Sequence, residues 1–467
     1  MLQGEPANDD FEHQEYFIPN DIFESENESL DGNEGFEKPT NLKEMFDSPT
    51  YNTPINMPVI ITRLQLFFMV LKFGVSNKLP ISAMSNLIVM INSMFANHIV
   101  PHSRYMLDKF FNNSEGIYFH VTCPKCENYV GRLEQLSPDT QCAVCRTNIG
   151  IPNESCSNLF ALIDPSRSIS ELLTENSNYY DDLMKNRSKR DSNYIKDIYD
   201  GEMYREFVSS LAPQDKQNYV TATFNSDGAQ PFKSSPLSLW PIYLMINELP
   251  PQERFKHVIP CALWFNNNKP KMTVFLDAFT EMVNEFSSEG IECFINGEKR
   301  RIKLFSLLCC VDSLARAIMQ GLTQFNGKFG CNWCLHPTVW FGATKYPILD
   351  YAVRLREVNA TINLMKKTTG KKPFIQGIKE VCALMNLKFF NIIFGFVPDY
   401  MHFLVAGVCK QISNYLMKPA EINFYQKLIK NIKFPYQVSR LTKPISRNKY
   451  WKAREWNFYH KTSKRIA

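Results

Sequence analysis

Two aspartates close apolar, strand-like runs in the second half of this chain. Asp227 lies in NSDG at 225–228, and Asp312 ends LFSLLCCV and opens SLAR. A third, Asp399, stands in PDYMH at 398–402. An acid at the end of an apolar run is costly to bury without a partner, and a metal ion can be that partner. Carboxylates gathered in this way hold two divalent cations roughly 3.5–4 Å apart, which activate a water or 3′-hydroxyl and stabilise a leaving oxygen. Oxygen donors favour magnesium or manganese. An Asp-Gly pair is also an ordinary turn, so Asp227 gains weight only beside Asp312. A third carboxylate is expected later, on a helix. Glu455 in YWKAREWNFYH, flanked by Trp451 and Trp456, is the candidate, although a glutamate on a basic helix is ordinarily a surface residue.

The cysteines suggest a second kind of chemistry. CPKC at 123–126 and CAVC at 142–145 enclose fifteen residues. Two CxxC knuckles so spaced present four thiolates tetrahedrally to a structural zinc, with no open position for substrate. His120 and Cys156 flank this unit and are not expected as ligands. A further pair, Cys331 and Cys334 in CNWC, lies beside His336. An isolated pair needs partners from elsewhere, and His402 is the candidate for a second zinc site. The alternative is two core cysteines and a satisfied histidine.

These residues need a scaffold. Apolar residues recur at three- and four-residue steps through 51–116, which reads as a helical segment. Residues 117–160 form the small zinc ribbon, and the polar stretch around 176–200 suggests a linker over 161–212. From 213 to 467 the pattern is mixed α/β: strands at NYVTATFNSD, LSLWPIYLMIN and HVIPCALWF, then a helix with Val274, Phe275, Ala278, Phe279, Met282, Val283 and Phe286 on one face. RIKLFSLLCCVD follows as a strand buried on both faces, and SLARAIMQGL as a helix. Three strands, a helix, a strand and a helix match a ribonuclease-H-like core. That fold carries one carboxylate on its first strand and another at the end of its fourth, the positions of Asp227 and Asp312.

Charge is distributed unevenly. Residues 1–50 hold 14 Asp/Glu and 2 Lys/Arg, and the other 417 hold 33 and 50, so a −12 arm precedes a +17 body. The arm has no helical period and is expected to be disordered. The first ten residues, MLQGEPANDD, lack a basic and an apolar signal region. Arg63 and Lys72 interrupt the most apolar early stretch, so no membrane partner is expected. Thirteen cysteines with metal-ligand spacing suit a reducing compartment, nuclear or cytoplasmic. The basic cluster at 185–190 reads as a solvated surface or a nuclear signal.

Taken together, these islands resemble the CACTA-type (En/Spm-like) DDE transposases and related animal transposase-domain proteins. The likeness runs over about 117–459, through the zinc-ribbon-like cysteines, DIYDGEMYREF, the Asp-Gly at 227–228 and SLWPIYLMINELPPQER at 238–254. It continues through Asp312-Ser-Leu-Ala-Arg316, the Cys331/Cys334 pair, GIKEVCALM, PDYMH and KAREW at 452–456. The resemblance implies two-metal DNA cleavage and strand transfer by Asp227, Asp312 and Glu455. It implies DNA as partner, both transposon ends and target, with self-association and a nuclear location. Asp399 is then part of a structural Asp-x-x-His element. Family members continue well past the Glu-Trp segment, so the chain reads as a fragment or an inactive remnant. The alternative is a zinc-containing DNA- or protein-binding protein derived from a transposase, without activity.

Overall fold

The computed structural model describes residues 61–77, 79–95, 99–101, 103, 105, 115–151, 158–187, 194–230, 237–368, 374–416, 427, 451, 455 and 456. The expected acidic arm, Cys156 and residues 188–190 of the basic cluster lie outside them. The chain divides into two compact units, Met1–Glu115 and Gly116–Ala467.

In the first unit, α1 (Arg63–Ser76) and α2 (Ile81–Asn92) form where the apolar period predicts helices. A reciprocal cap starts α1: Thr62 Oγ1 accepts from Gln65 N–H, and Gln65 Oε1 accepts from Thr62 N–H. Phe67, Val70, Ile88 and Val100 make its small core. No described helix is long and apolar enough to cross a membrane.

The second unit is mixed α/β, and its main sheet has nine strands. In chain order the strands are β1 (Ile117–Thr122), β2 (Tyr129–Arg132), β3 (Leu159–Ile163), β4 (Tyr219–Ser226), β5 (Ser238–Ile246), β6 (Ile259–Asn266), β7 (Ile291–Ile295) and β8 (Glu298–Val311). They are followed by β9 (Val339–Trp340), β10 (Thr344–Lys345) and β11 (Phe396–Pro398), of which β9 and β10 form a separate hairpin. The sheet runs β11-β8-β4-β5-β6-β3-β1-β2, with β7 paired to β8. β4, β8 and β11 are mutually parallel, and the remaining pairs are antiparallel. β4 is buried at every position but Asn225, as a central strand of β-branched and aromatic residues should be. Asn296 and Gly297 join β7 to β8 with φ of 51° and 80°, the left-handed geometry of a tight hairpin turn. That Asn-Gly pair marks β7, a strand absent from the sequence expectation.

Two boundaries differ from those read from composition. The cysteine-bearing strands are not a separate ribbon over 117–160. β1 pairs with β3, and β3 pairs with β6 through Ala161 and Leu263, so the sheet passes unbroken into the cysteine unit. Nor are residues 161–212 a linker. They hold α3 (Ser166–Glu175), α4 (Ser177–Asn186) and α5 (Glu202–Ser210), and Ile169, Leu173, Tyr180, Leu183, Tyr204 and Phe207 join the main core. Their apolar residues keep helical spacing, which the many polar residues between them mask. Two members of the basic cluster serve the fold as well. Lys185 pairs with Asp181, and Arg187 lies over the Tyr219 ring at 4.7 Å and donates to the Lys216 carbonyl. The long helix α6 (Met272–Glu289) packs on β8 as its apolar face predicts.

A buried polar network locks α5 to the sheet. Glu248 is fully buried and accepts from the Tyr204 hydroxyl, the Thr221 N–H and the Thr221 hydroxyl, each at 2.7 Å. Six residues on, buried Arg254 makes a two-pronged pair with Asp197 at 2.7 and 2.9 Å. DIYDGEMYREF and NELPPQER are therefore halves of one structural clasp. Burial pushes the Glu248 carboxyl above its ordinary value, against the hydrogen bonds that favour its ionised form. The folded chain then holds this proton more tightly than the unfolded chain. Stability from this group is present below about pH 4.5 and is lost as pH rises through the raised value. Thermal melts from pH 4 to 8 should show this decline in the wild type and a flatter profile in Glu248→Gln; parallel profiles would refute the assignment.

Candidate functional site

The four cysteines come together as their spacing predicts. Cys123 and Cys145 Sγ lie 3.5 Å apart, as do Cys126 and Cys142, and all four sulfurs fall within 4.8 Å of one another. Thiolates about 2.3 Å from a tetrahedral zinc stand about 3.8 Å from each other, so the cluster can hold a structural metal such as zinc. Each CxxC makes the same turn. Cys123 N–H donates to Asn128 O and Glu127 N–H to Cys123 O, while Cys142 N–H donates to Thr147 O and Arg146 N–H to Cys142 O. Glu127 and Arg146, the residues after each second cysteine, take φ of 58° and 60°.

Donors then converge on the sulfurs. Asn128 Nδ2 donates to Cys126 at 3.3 Å, and the Thr147 hydroxyl lies 3.2 Å from Cys145. The Thr147 hydroxyl and N–H hold the Cys145 thiol down to about 6. Second-layer donors of this kind orient the ligands and favour the thiolate that binds metal. His120 has a different role. It stacks on Phe160 at 5.1 Å and bonds the Tyr129 hydroxyl, and burial together with the Arg132 charge lowers it to about 4, so it is a neutral core residue.

Three acids follow the ends of neighbouring strands, although their carboxylate oxygens are not all within 4.8 Å of one another. The parallel register pairs Phe224 with Cys309, and three residues further on it brings Asp227 level with Asp312. Pro398 pairs with Val311, so the next residue, Asp399, is also level with Asp312. Three aspartates thus follow the carboxyl ends of three adjacent parallel strands, about 4.8 Å from one strand to the next. Part-removal of Asp227 from solvent raises its carboxyl above the ordinary range. The Asp312 charge raises it further, with Asp399 adding in the same direction and His402 opposing. Asp312 Oδ1 accepts from Ala315 N–H at 2.7 Å and caps α7 (Ser313–Met319). Asp399 caps the π-helix Tyr400–Cys409, and its Oδ2 bonds His402 Nδ1.

Glu455 is 2% exposed, beside the Trp451–Trp456 pair, whose rings are 4.9 Å apart. Among the described residues, the four-cysteine cluster is the group of three or more potential metal ligands whose donor atoms all lie within 4.8 Å. Asp227, Asp312 and Glu455 are not gathered to that degree, nor are Cys331, Cys334 and His402. His402 has given one ring nitrogen to Asp399, and both capping aspartates have turned oxygens toward backbone N–H groups.

Cys331, Cys334 and His402 nevertheless share one cavity of about 610 Å3 with Asp312 and Asp399. Its wall is braced by Arg356, which is 3% exposed and donates to the carbonyls of Cys331, Phe329 and Gln376 at 2.9–3.0 Å. Burial pushes the Cys334 thiol up, and its neighbour Cys331 adds to the effect. Arg316 stands over Trp333, its guanidinium carbon 5.7 Å from the ring centroid. Sequence reasoning missed Arg356, because nothing local distinguishes it from a surface arginine. It assigned Asp399 to a structural Asp-x-x-His element, and Asp399 does cap the π-helix and bond His402.

No family model matches the chain, and no curated protein matches it. If the four-cysteine cluster is a metal centre, protein purified without chelator should carry about one zinc per chain, and Cys142→Ser should lose that zinc and melt at lower temperature. Full folding and no bound zinc in the wild type would rule the centre out.

Proposed function

We propose that the chain is a transposase-like DNA nucleotidyltransferase of the DDE class, built on a ribonuclease-H-like core. One observation carries this reading: Asp227, Asp312 and Asp399 stand level at the ends of three adjacent parallel strands. The sheet order β6-β5-β4-β8-β11 supports it, with three antiparallel strands followed by two parallel ones and carboxylates just after β4 and β8. So does a body of charge +17, suited to a phosphate backbone. DNA ends and target DNA would be the partners, with self-association and a nuclear location in keeping.

Two magnesium or manganese ions, when bound, would supply Lewis-acid stabilisation and an activated oxygen nucleophile. Asp227 and Asp312 would be their first ligands, because each places a carboxylate just past the end of one of two adjacent parallel strands. Asp399 is better situated than Glu455 as the third, since it shares the register while Glu455 is buried beside the two tryptophans. His402, hydrogen-bonded to Asp399, would fix that carboxylate's orientation. Cys331, Cys334 and His402 line one cavity but are not gathered within 4.8 Å, which does not support a second zinc there. The raised Asp227 carboxyl makes protons compete with the metal, so metal affinity should fall on acidification.

A second reading rests on the helix caps. Asp312 and Asp399 both have structural duties, so the acids can persist in a DNA- or protein-binding protein of transposase origin without activity. Plasmid nicking in Mn2+ separates the two. Wild type should nick and form joined products, whereas Asp227→Asn and Asp312→Asn should fall to background. Asparagine caps a helix about as well as aspartate, so the second loss would not come from unfolding. Asp399→Asn should lose more activity than Glu455→Gln. Absence of nicking in the wild type, with DNA binding retained, would favour the binding protein.

A further inference from the structure

We propose that the cavity beside the acidic edge receives a single nucleobase turned out of the DNA strand whose phosphate lies at Asp227 and Asp312. The inference rests on the strand-chemistry reading of that edge. At about 610 Å3 the cavity is within the range of about 300–1,000 Å3 that holds small organic ligands, so a nucleotide fits and a duplex does not.

Its wall joins the groups a nucleotide requires. Asp312 and Asp399 line it together with Trp333, Tyr346 and Phe403. Tyr346 and Phe403 remain 42% and 52% exposed, although they line a concavity next to a large core. Tyr346 also packs on His336 at 5.4 Å, and partly exposed rings of this kind serve as stacking platforms, tolerant of base identity because every base has a π-face. Arg316 lines the same cavity over Trp333 and forms no ion pair among the described residues, leaving a planar cation for a phosphate or a base acceptor. Asn332 also lines it. It is 3% exposed, and its Nδ2 has no hydrogen-bond partner among the described residues. An amide with unused bonding capacity suits the edge of a base. Flat faces, a cation and an amide beside acids that would hold phosphate-bound metal fit a nucleotide better than an aliphatic or peptide ligand. Enzymes that act on a strand gain access and selectivity by extruding a base in this way.

The test compares two five-nucleotide single strands with the same phosphates, one intact and one lacking its central base, bound to the full chain in Ca2+ and followed by fluorescence anisotropy. The intact strand should bind about 5- to 150-fold more tightly, the range set by one stacked base. Phe403→Ala and Trp333→Leu should each shrink that ratio, while Trp340→Leu, an exposed ring outside the cavity, should leave it unchanged. Unaltered melting and zinc content would confirm that the variants fold. Equal binding of the two strands, or a ratio that survives both cavity variants, would overturn the proposal. A base preference without Mn2+-dependent nicking would leave the pocket standing and remove the strand-chemistry reading. Nicking without a base preference would remove the pocket alone.

Discussion

The parallel register of β4, β8 and β11 is the constraint on which the rest of the molecule depends. Parallel neighbours at equal register carry their next residues at the same height, so an aspartate after each strand becomes a row of three. The β4–β8 ladder holds a one-residue shift between Ala222 and Thr223, and without it Asp227 would stand level with Val311 and not with Asp312. Burial raises the Asp227 carboxyl, and the neighbouring Asp312 charge adds to the effect.

The clasp around Glu248 and Arg254 is suited to hold that register. Glu248 reaches from the end of β5 to Thr221 on β4 and Tyr204 on α5, and Arg254 ties the following turn to Asp197. Buried, hydrogen-bonded charged groups contribute little net stability relative to an apolar core, but they tolerate few alternative pairings. At the far edge, the two cysteine knuckles end the sheet with a cluster that a metal can lock. β3 makes that cluster continuous with the core.

Much of this was legible in the residues. The fifteen-residue spacing of the CxxC pairs is local information, because knuckle geometry is set within six residues of chain. Apolar period alone gave α1, α2, the long helix α6 and the central strands. The helices over 166–210 were hidden because their solvent faces carry so many Asn, Asp, Lys and Ser that average composition reads as linker. Core residues such as Tyr180 and Phe207 decide the matter only once a sheet exists for them to pack against.

By itself, the sequence determined residue types, the runs that end in acids and the cysteine spacing, since these depend on neighbours in the chain. Tertiary structure alone decided which acids share a level. Asp227, Asp312 and Asp399 are separated by 85 and 87 positions, and no local preference sets the register between strands so far apart. Pairing between distant strands sets it, including the one-residue shift at Ala222/Thr223 in the β4–β8 ladder. The same long-range packing left Glu455 beside its tryptophans and brought Arg316, Trp333 and Asn332 round the cavity next to the acids.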